Sequence, residues 1–307
     1  MKGLISNIER YAINDGFGLR TTVFFKGCPL RCRWCCNPET QKTHPEMVFF
    51  PDKCIDCRAC VTACPHHAIG SDLQADRSLC DACYQSPAPF ACTLPCYPQC
   101  RKQSGVEMTL EEVAQAVERD RAFYRHSGGG VTLSGGEPLL QGEFVYQLCK
   151  LFNQMLIDVA IETCGAANGE DYRRIAPFLS FVFFELKHTD CAKHHLWTGR
   201  GNQSILENAV LLDELAQEHG FDLVYRVPVI PGFNDTPEEI REICRFVKKR
   251  MKAYRGVELL PYHKLGRGKY QSLGLLYPMG DTPVPGEGEM TVLQRILQDN
   301  GITRYEF

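Results

Sequence analysis

Four cysteines fall within the segment GCPLRCRWCCNPE, Gly27 to Glu39. Cys28, Cys32 and Cys35 read C-x3-C-x2-C. Thiolates are soft ligands that suit iron–sulfur clusters. Three ligands on a cubane leave the fourth iron open, as a catalytic metal site keeps one position free for an outside molecule. Cys36 adjoins Cys35. Neighbours in a tight loop point apart, so Cys36 reads as a structural cysteine.

A second block follows. CIDCRACVTACP places Cys54, Cys57, Cys60 and Cys64 at C-x2-C-x2-C-x3-C-P. In that run the fourth cysteine ligates the other cluster of a pair. CDACYQSPAPFACTLPCYP carries Cys80, Cys83, Cys92 and Cys96 with a longer gap between the second and third. The block resembles a bacterial two-cluster ferredoxin. That resemblance assigns Cys54, Cys57, Cys60 and Cys96 to one [4Fe–4S] cluster, and Cys64, Cys80, Cys83 and Cys92 to the other. Cys100 is spare and is an alternative to Cys96. A pair of structural zinc sites is the competing reading; the two x2 spacings and Pro65 favour clusters. The scattered Cys149, Cys164, Cys191 and Cys244 read as small buried apolar residues.

The rest of the chain must position these thiols. It has 307 residues, 44% hydrophobic and 23% charged, with a net charge of −3. That balance is ordinary for a globular protein and gives no sign of a polyanion partner. There is no apolar run long enough for a membrane helix, and the start lacks a signal peptide's apolar block. The expectation is a cytoplasmic protein, where seventeen cysteines do not read as a disulfide framework.

Strand patterns recur at 21–27, 130–136, 157–163, 181–187, 222–230 and 256–262, with amphipathic helix patterns around them. ITRYEF is a candidate edge strand. Thr109 with Glu112 predicts a capping box for a helix TLEEVAQAVERDRAFYR. Gly220 predicts the stop of a helix that begins near Ser204. Thr236 and Pro237 predict the start of another, and a last helix is expected near EMTVLQRILQDNG. Alternating strands and helices predict an α/β fold with a parallel sheet. Six units suit a partial, open barrel. Residues 48–104 interrupt the alternation and read as an inserted domain, leaving 1–47 and 105–307 as the barrel.

C-x3-C-x2-C with Trp34 before the last cysteine is similar to the radical S-adenosylmethionine enzymes. Across nearly the whole chain the likeness extends to the glycyl-radical-enzyme activating enzymes, the family of pyruvate formate-lyase activating enzyme. It is carried by NDGFGLRTTVFFKGCPLRCRWCCNPE, SGGGVTLSGGEPLLQ, IETCG, ELKH, RVPVIPGFND and LLPYHKLGRGKY, in order. The resemblance implies a partial (β/α)6 barrel with the cluster loop after its first strand. Three departures stand out: Phe17 where the family has proline, Cys36 where it often has His or Gln, and Glu185 where it has aspartate.

The resemblance also implies the chemistry. Cys28, Cys32 and Cys35 hold the catalytic cluster. Trp34, Cys35, Cys36, Gly135, Gly136, Glu137, Glu162, Thr163, Glu185, Leu186, Lys187, Arg226 and His263 are the cofactor-site candidates, with Glu137 either touching the cofactor or holding its loop. Arg226 has the planar fork to pair with a carboxylate, and a purely structural salt bridge is the alternative reading for an arginine on an apolar strand. The implied cofactors are three [4Fe–4S] clusters, S-adenosylmethionine and a monovalent cation. Reductive cleavage of S-adenosylmethionine gives a 5′-deoxyadenosyl radical that takes a hydrogen from a glycine Cα. The implied partners are a glycyl radical enzyme and reduced flavodoxin or ferredoxin, with no nucleic acid and no membrane. The competing classes are a radical enzyme acting on a small molecule, an iron–sulfur electron-transfer protein, and a zinc module.

Overall fold

The computed structural model describes residues 1–305. Its strands are β1 (Lys2–Ala12), β2 (Arg20–Phe25), β3 (Glu46–Phe49), β4 (Arg101–Ser104), β5 (Val106–Thr109), β6 (Gly130–Gly135), β7 (Asp158–Thr163), β8 (Phe181–Glu185), β9 (Asp222–Val229) and β10 (Gly256–Pro261). Eight of them form one open sheet in the order β10-β9-β8-β7-β6-β2-β1-β5. From β2 to β10 every pairing is parallel. These six are the strands expected from the sequence, each within two residues of its expected end. Their near-continuous apolar runs suit a parallel sheet buried on both faces; Val131, Leu133, Val182, Phe183 and Phe184 are all fully buried.

Helices cover the sheet. Gly142–Gln154 buries Phe144, Val145, Leu148, Cys149 and Phe152, the i, i+4, i+8 stripe of a core-facing helix. Each such fully buried large apolar side chain contributes roughly 1.5–3 kcal/mol. The expected caps are present. Thr109 and Glu112 exchange both bonds of a capping box, Gly220 ends Gln203–His219 at φ 78°, and Thr236 caps Pro237–Arg250. The last helix is Glu287–Asp299.

Several features depart from the sequence reading. TLEEVAQAVERDRAFYR is two helices, Leu110–Glu118 and Arg121–Ser127. The break lies at Asp120, whose buried carboxylate turns inward to accept from Arg10 and from Thr21 Oγ1 at 2.7 Å. Strands β1 and β5 extend the sheet antiparallel beyond β2. Of ITRYEF, Arg304 makes one parallel bridge to Val257; Glu306 and Phe307 lie outside the described residues. Cys191 is exposed, unlike the buried Cys149, Cys164 and Cys244. It opens the helix Cys191–Thr198 at the surface.

Strands β3 and β4 pair antiparallel and bring the two ends of the cysteine-rich segment together. Between them lies a second, small core of Met47, Phe49, Ile69, Leu73, Phe90 and buried cysteines. Its root is a buried ion cluster. Glu46 meets Lys26 at 2.7 Å and Arg77 at 3.1 Å, while Lys42 reaches Asp81 at 2.7 Å. Lys26 directly follows β2, so the cluster joins the segment to the start of the Cys28 loop. Among the described residues no helix is long and apolar enough to cross a membrane.

Candidate active site

One cavity opens at the C-terminal ends of the parallel strands, the end at which barrel enzymes place their chemistry. It encloses about 880 Å³, its open mouth included. The loop after β2 supplies Cys28, Cys32, Trp34, Cys35 and Cys36 to its wall. Gly135 ends β6 and Gly136 follows it, Cys164 follows β7, Glu185 ends β8 with Lys187 two residues on, and His263 follows β10.

The cysteine loop is fixed from two sides. Gly27 N–H donates to Thr40 O at 2.6 Å, and Glu137 N–H to Gly27 O at 2.8 Å. Across the mouth, Arg31 N–H donates to Thr198 O and Arg33 N–H to Trp197 O. Trp34 is buried and packs on Phe233 with ring centroids 5.0 Å apart. Gly266, of the KLGRGKY segment, lies so close that a Cβ there would stand 2.8 Å from Cys35 O.

Gly135 sits at φ +113°, where a side chain is strained. A Cβ on Gly136 would lie 2.1 Å from Gly27 O and 2.9 Å from Thr40 O. A side chain at Gly136, a cofactor-site candidate, therefore runs into the backbone of the cysteine loop.

Glu137, Glu162, Thr163, Leu186 and Arg226 do not line the cavity. Glu137 is fully buried and accepts from Thr163 Oγ1 at 2.8 Å and from Cys164 N at 2.9 Å. It holds the loop, the second of its two expected roles. Burial pushes its carboxyl above the usual range. Leu186 is fully buried, its N–H donating to Arg226 O. Arg226 donates to Glu258 at 2.7 Å and Glu162 at 3.1 Å, and to Asn14 O at 3.0 Å. Its guanidinium lies over the Phe183 ring. The carboxylate pairing expected of Arg226 is thus an internal brace across β7, β9 and β10. Phe17 packs edge-on against Phe181, 5.0 Å between centroids, and is no part of the cavity wall.

The Arg226 brace carries a stability prediction. Arg226→Met leaves Glu162 and Glu258 without their shared cation. Breaking a buried pair costs about 3–5 kcal/mol; partial exposure of Glu162 places the expected loss near the lower figure, about 3 kcal/mol. Burial raises the Glu162 pKa against the opposing effect of Arg226. A carboxylate raised above its unfolded value favours the fold below that value and loses this as pH rises through the folded pKa. The deficit of Arg226→Met therefore narrows on acidification. Denaturant titration at two pH values checks this; a loss under about 1 kcal/mol, the scale of a surface pair, contradicts the brace.

Glu185 and Lys187 pair at the cavity wall. Burial works to lower the Lys187 pKa, but Glu185, Cys32 and Cys164 together raise it. Lys187 therefore stands as a buried cation beside the thiols. Burial pushes the Cys35 thiol up to about 12 and the Cys36 thiol up to about 11, and raises Cys32 further. Cys36 Sγ lies 3.8 Å from His263 Nε2.

These donors fit an iron–sulfur cluster. Cys32 and Cys35, so hard to ionise by burial, become thiolates against a bound cationic group; the Cys28 thiol is already shifted down by hydrogen bonding. Among the described residues no three His, Cys, Asp or Glu side chains converge as a single metal ion requires.

In the cysteine-rich segment, Cys92 feels the charges of Cys64, Cys80 and Cys83. Cys96 and Cys100 have their sulfurs 3.3 Å apart, with Cys54 in reach of Cys100. Backbone N–H groups point at Cys54, Cys64, Cys83 and Cys96 Sγ, at 3.3–3.4 Å.

Sequence reasoning missed Cys164, which was grouped with inert buried thiols. Its place directly after the strand-end pair Glu162-Thr163 was the available signal.

Residues 14–206 match the family model of the 4Fe-4S single cluster domain. The chain is 44% identical to the isethionate sulfite-lyase activating enzyme of Desulfovibrio desulfuricans over 293 residues, covering 91% of this chain and 89% of that protein. It is 38% identical to the choline trimethylamine-lyase activating enzyme of Oleidesulfovibrio alaskensis, covering 100% and 96%. It is also 38% identical to the 4-hydroxyphenylacetate decarboxylase activating enzyme of Clostridioides difficile, covering 99% and 96%. Whole-length likeness at this level, together with the cysteine-lined cavity, places the chain in the family of glycyl-radical-enzyme activating enzymes, which are radical S-adenosylmethionine enzymes.

Proposed function

We propose that Cys28, Cys32 and Cys35 hold the catalytic [4Fe–4S] cluster, and that the cavity beside it takes S-adenosylmethionine. The observation that carries this reading is the convergence of the three thiols with Gly135, Gly136, Glu185, Lys187 and His263 on one cavity. The bound cluster supplies the electron that cleaves S-adenosylmethionine to methionine and a 5′-deoxyadenosyl radical, which takes a hydrogen from a glycine Cα of the partner enzyme. The chain's own residues orient and shield. Gly135 and Gly136 let backbones approach closely, Trp34, backed by Phe233, walls the site against water, and His263 would hold the nucleoside side of the cofactor. Glu137, Glu162, Thr163, Leu186 and Arg226 act one layer behind, as braces.

Residues 48–104 form a ferredoxin-like insert with two further [4Fe–4S] clusters in this reading. The grouping of Cys92 with Cys64, Cys80 and Cys83 supports the crossed ligand pattern. Cys54, Cys57 and Cys60 complete the other cluster with Cys96. The N–H group of Arg101 aimed at Cys96 Sγ favours Cys96 over Cys100 as the ligand, because backbone N–H bonds to sulfur stabilise a ligating thiolate. Reduced flavodoxin or ferredoxin is the electron donor.

The experiment is anaerobic reconstitution with iron and sulfide, then coexpression with candidate partners. About twelve irons per chain are expected, four for each of three [4Fe–4S] clusters. S-adenosylmethionine is cleaved under a strong reductant. Isethionate sulfite-lyase and choline trimethylamine-lyase are the first partners to test, and the correct one gains a glycyl radical by electron paramagnetic resonance. About four irons with full cleavage would remove the insert clusters, and cleavage with no partner ever activated would point to a small-molecule substrate.

A further inference from the structure

Arg101 opens β4 with its side chain inside the small core of the cysteine-rich segment, 1% exposed. Its side-chain partners, Phe49, Leu73 and Met47, all belong to that core. The guanidinium carbon lies 4.0 Å over the centroid of the Phe49 ring, its neighbour across the β3–β4 pair. One terminal nitrogen donates to Leu73 O, and the other reaches Met47 Sδ at 3.6 Å. Nε is buried with no partner. Among the described residues no carboxylate pairs with this side chain. The nearby acids are engaged elsewhere: Glu46 with Lys26 and Arg77, Asp81 with Lys42 and Arg77. Asp52, Asp56, Asp72 and Asp76 are exposed.

A cation so placed is costly. Taking a charge out of water is unfavourable unless a countercharge lies beside it, and arginine does not escape by losing its proton. A ring face and a carbonyl stabilise the guanidinium without cancelling its charge. The same core holds the missing anion in latent form, since it contains the buried Cys60, Cys64, Cys83 and Cys92. As thiols these are neutral. As cluster ligands they are thiolates, and a cluster's thiolate charges exceed the positive charge of its iron–sulfide core in both oxidation states. Burial pushes the Cys92 thiol up, and the Arg101 charge works against that. The position is also built. The turn from Gly70 to Gln74 presents Leu73 O with Leu73 at φ 62°, a region uncommon for a residue with a side chain. The backbone N–H of the same arginine donates to Cys96 Sγ at 3.3 Å.

We infer that Arg101 is the fixed counter-cation of the iron–sulfur clusters in residues 48–104, its charge raising the reduction potential of at least one of them. This rests on the reading of that segment as a two-cluster insert. Net charge is among the properties that set a cluster's potential. Reduction adds a negative charge to a group that is already anionic, and a buried positive charge favours the product. Burial also leaves that charge weakly screened by salt. Removing it lowers the potential.

The test compares Arg101→Met and Arg101→Lys with the parent in the anaerobically reconstituted full chain. The readouts are iron content and the potentials of the clusters whose paramagnetic signals stay unchanged when S-adenosylmethionine is added. Arg101→Met is expected to lower at least one of these potentials by a tenfold change in the reduction equilibrium, about 59 mV for one electron. Arg101→Lys keeps the charge and loses only the planar fork, and stays within that margin of the parent. Unchanged potentials in Arg101→Met overturn the inference, as does the same lowering in both variants. If Arg101→Met loses the insert's iron, about eight atoms per chain, the lysine variant decides. Parent iron and parent potentials there uphold the role of the charge, and anything less overturns it. A parent that itself binds only about four irons has no insert clusters, so the underlying reading fails before any variant is compared.

Discussion

Cys32→Ala is expected to lose S-adenosylmethionine cleavage down to background while about eight of about twelve irons remain, the share of two clusters in three. Cys32 has no substitute. It lies on the cavity wall with Cys28 and Cys35, half-buried and within the field of the Lys187 charge. Cys36 is adjacent to Cys35 but sits toward His263, so it does not move into the vacated place. Cys36→Ala is the comparison and is expected to retain the full iron content. Iron analysis and single-turnover cleavage in the same preparations read both effects. Cleavage surviving in Cys32→Ala would end the three-thiol assignment, and iron loss in Cys36→Ala would show that the adjacent cysteines were exchanged.

How far this site was legible follows from which forces encode it. The six parallel strands announced themselves because a sheet buried on both faces needs apolar runs, and such runs are hard to mistake between helix caps. The cysteine loop was legible because ligand chemistry demands residue type and spacing together. β1 was not, because in its outer half only Ile8 and Ala12 are half-buried and Glu9, Arg10 and Tyr11 are exposed in a row, which breaks the alternation of a strand. β3 and β4 were hidden for another reason. Their pairing spans the whole cysteine-rich segment, and only tertiary closure brings Glu46 opposite Ser104.

The roles of the polar strand-end residues were less legible than their location. Glu137, Glu162, Thr163 and Arg226 all belong to the C-terminal halves of strands or the turns after them, as expected. Whether each faces the cavity depends on side-chain direction, which a strand alternates residue by residue. Thr163 and Cys164 illustrate the point. The threonine turns into the core toward Tyr172, and the cysteine, read as inert, turns to the cavity. Periodicity locates a strand end but does not say where the strand stops alternating. That stop, between Thr163 and Gly165 at φ +77°, decided which side chain reached the site.

The same reasoning fixes the outcome for Gly136. Gly136→Val is expected to lose the catalytic cluster, not merely to weaken cofactor binding. The Cβ direction at Gly136 runs into Gly27 O at 2.1 Å and Thr40 O at 2.9 Å. Both are backbone atoms, so no side chain can swing aside. Those carbonyls also carry the bonds that fasten the cysteine loop, Glu137 N–H to Gly27 O and Gly27 N–H to Thr40 O. Relieving the collision means moving Gly27, and Cys28 moves with it. A displacement near 1 Å at a reacting centre costs about a hundredfold in rate, and a shifted ligand thiol costs the cluster as well. The segment 48–104 is rooted through the ion pairs of Glu46 with Lys26 and Arg77, which use neither the Gly27 nor the Thr40 carbonyl, and is expected to keep the iron proposed for it. The expected result is loss of about four irons with cleavage down at least about a hundredfold. Full iron content with only a weaker affinity for S-adenosylmethionine would mean that the valine side chain faces the cofactor after all.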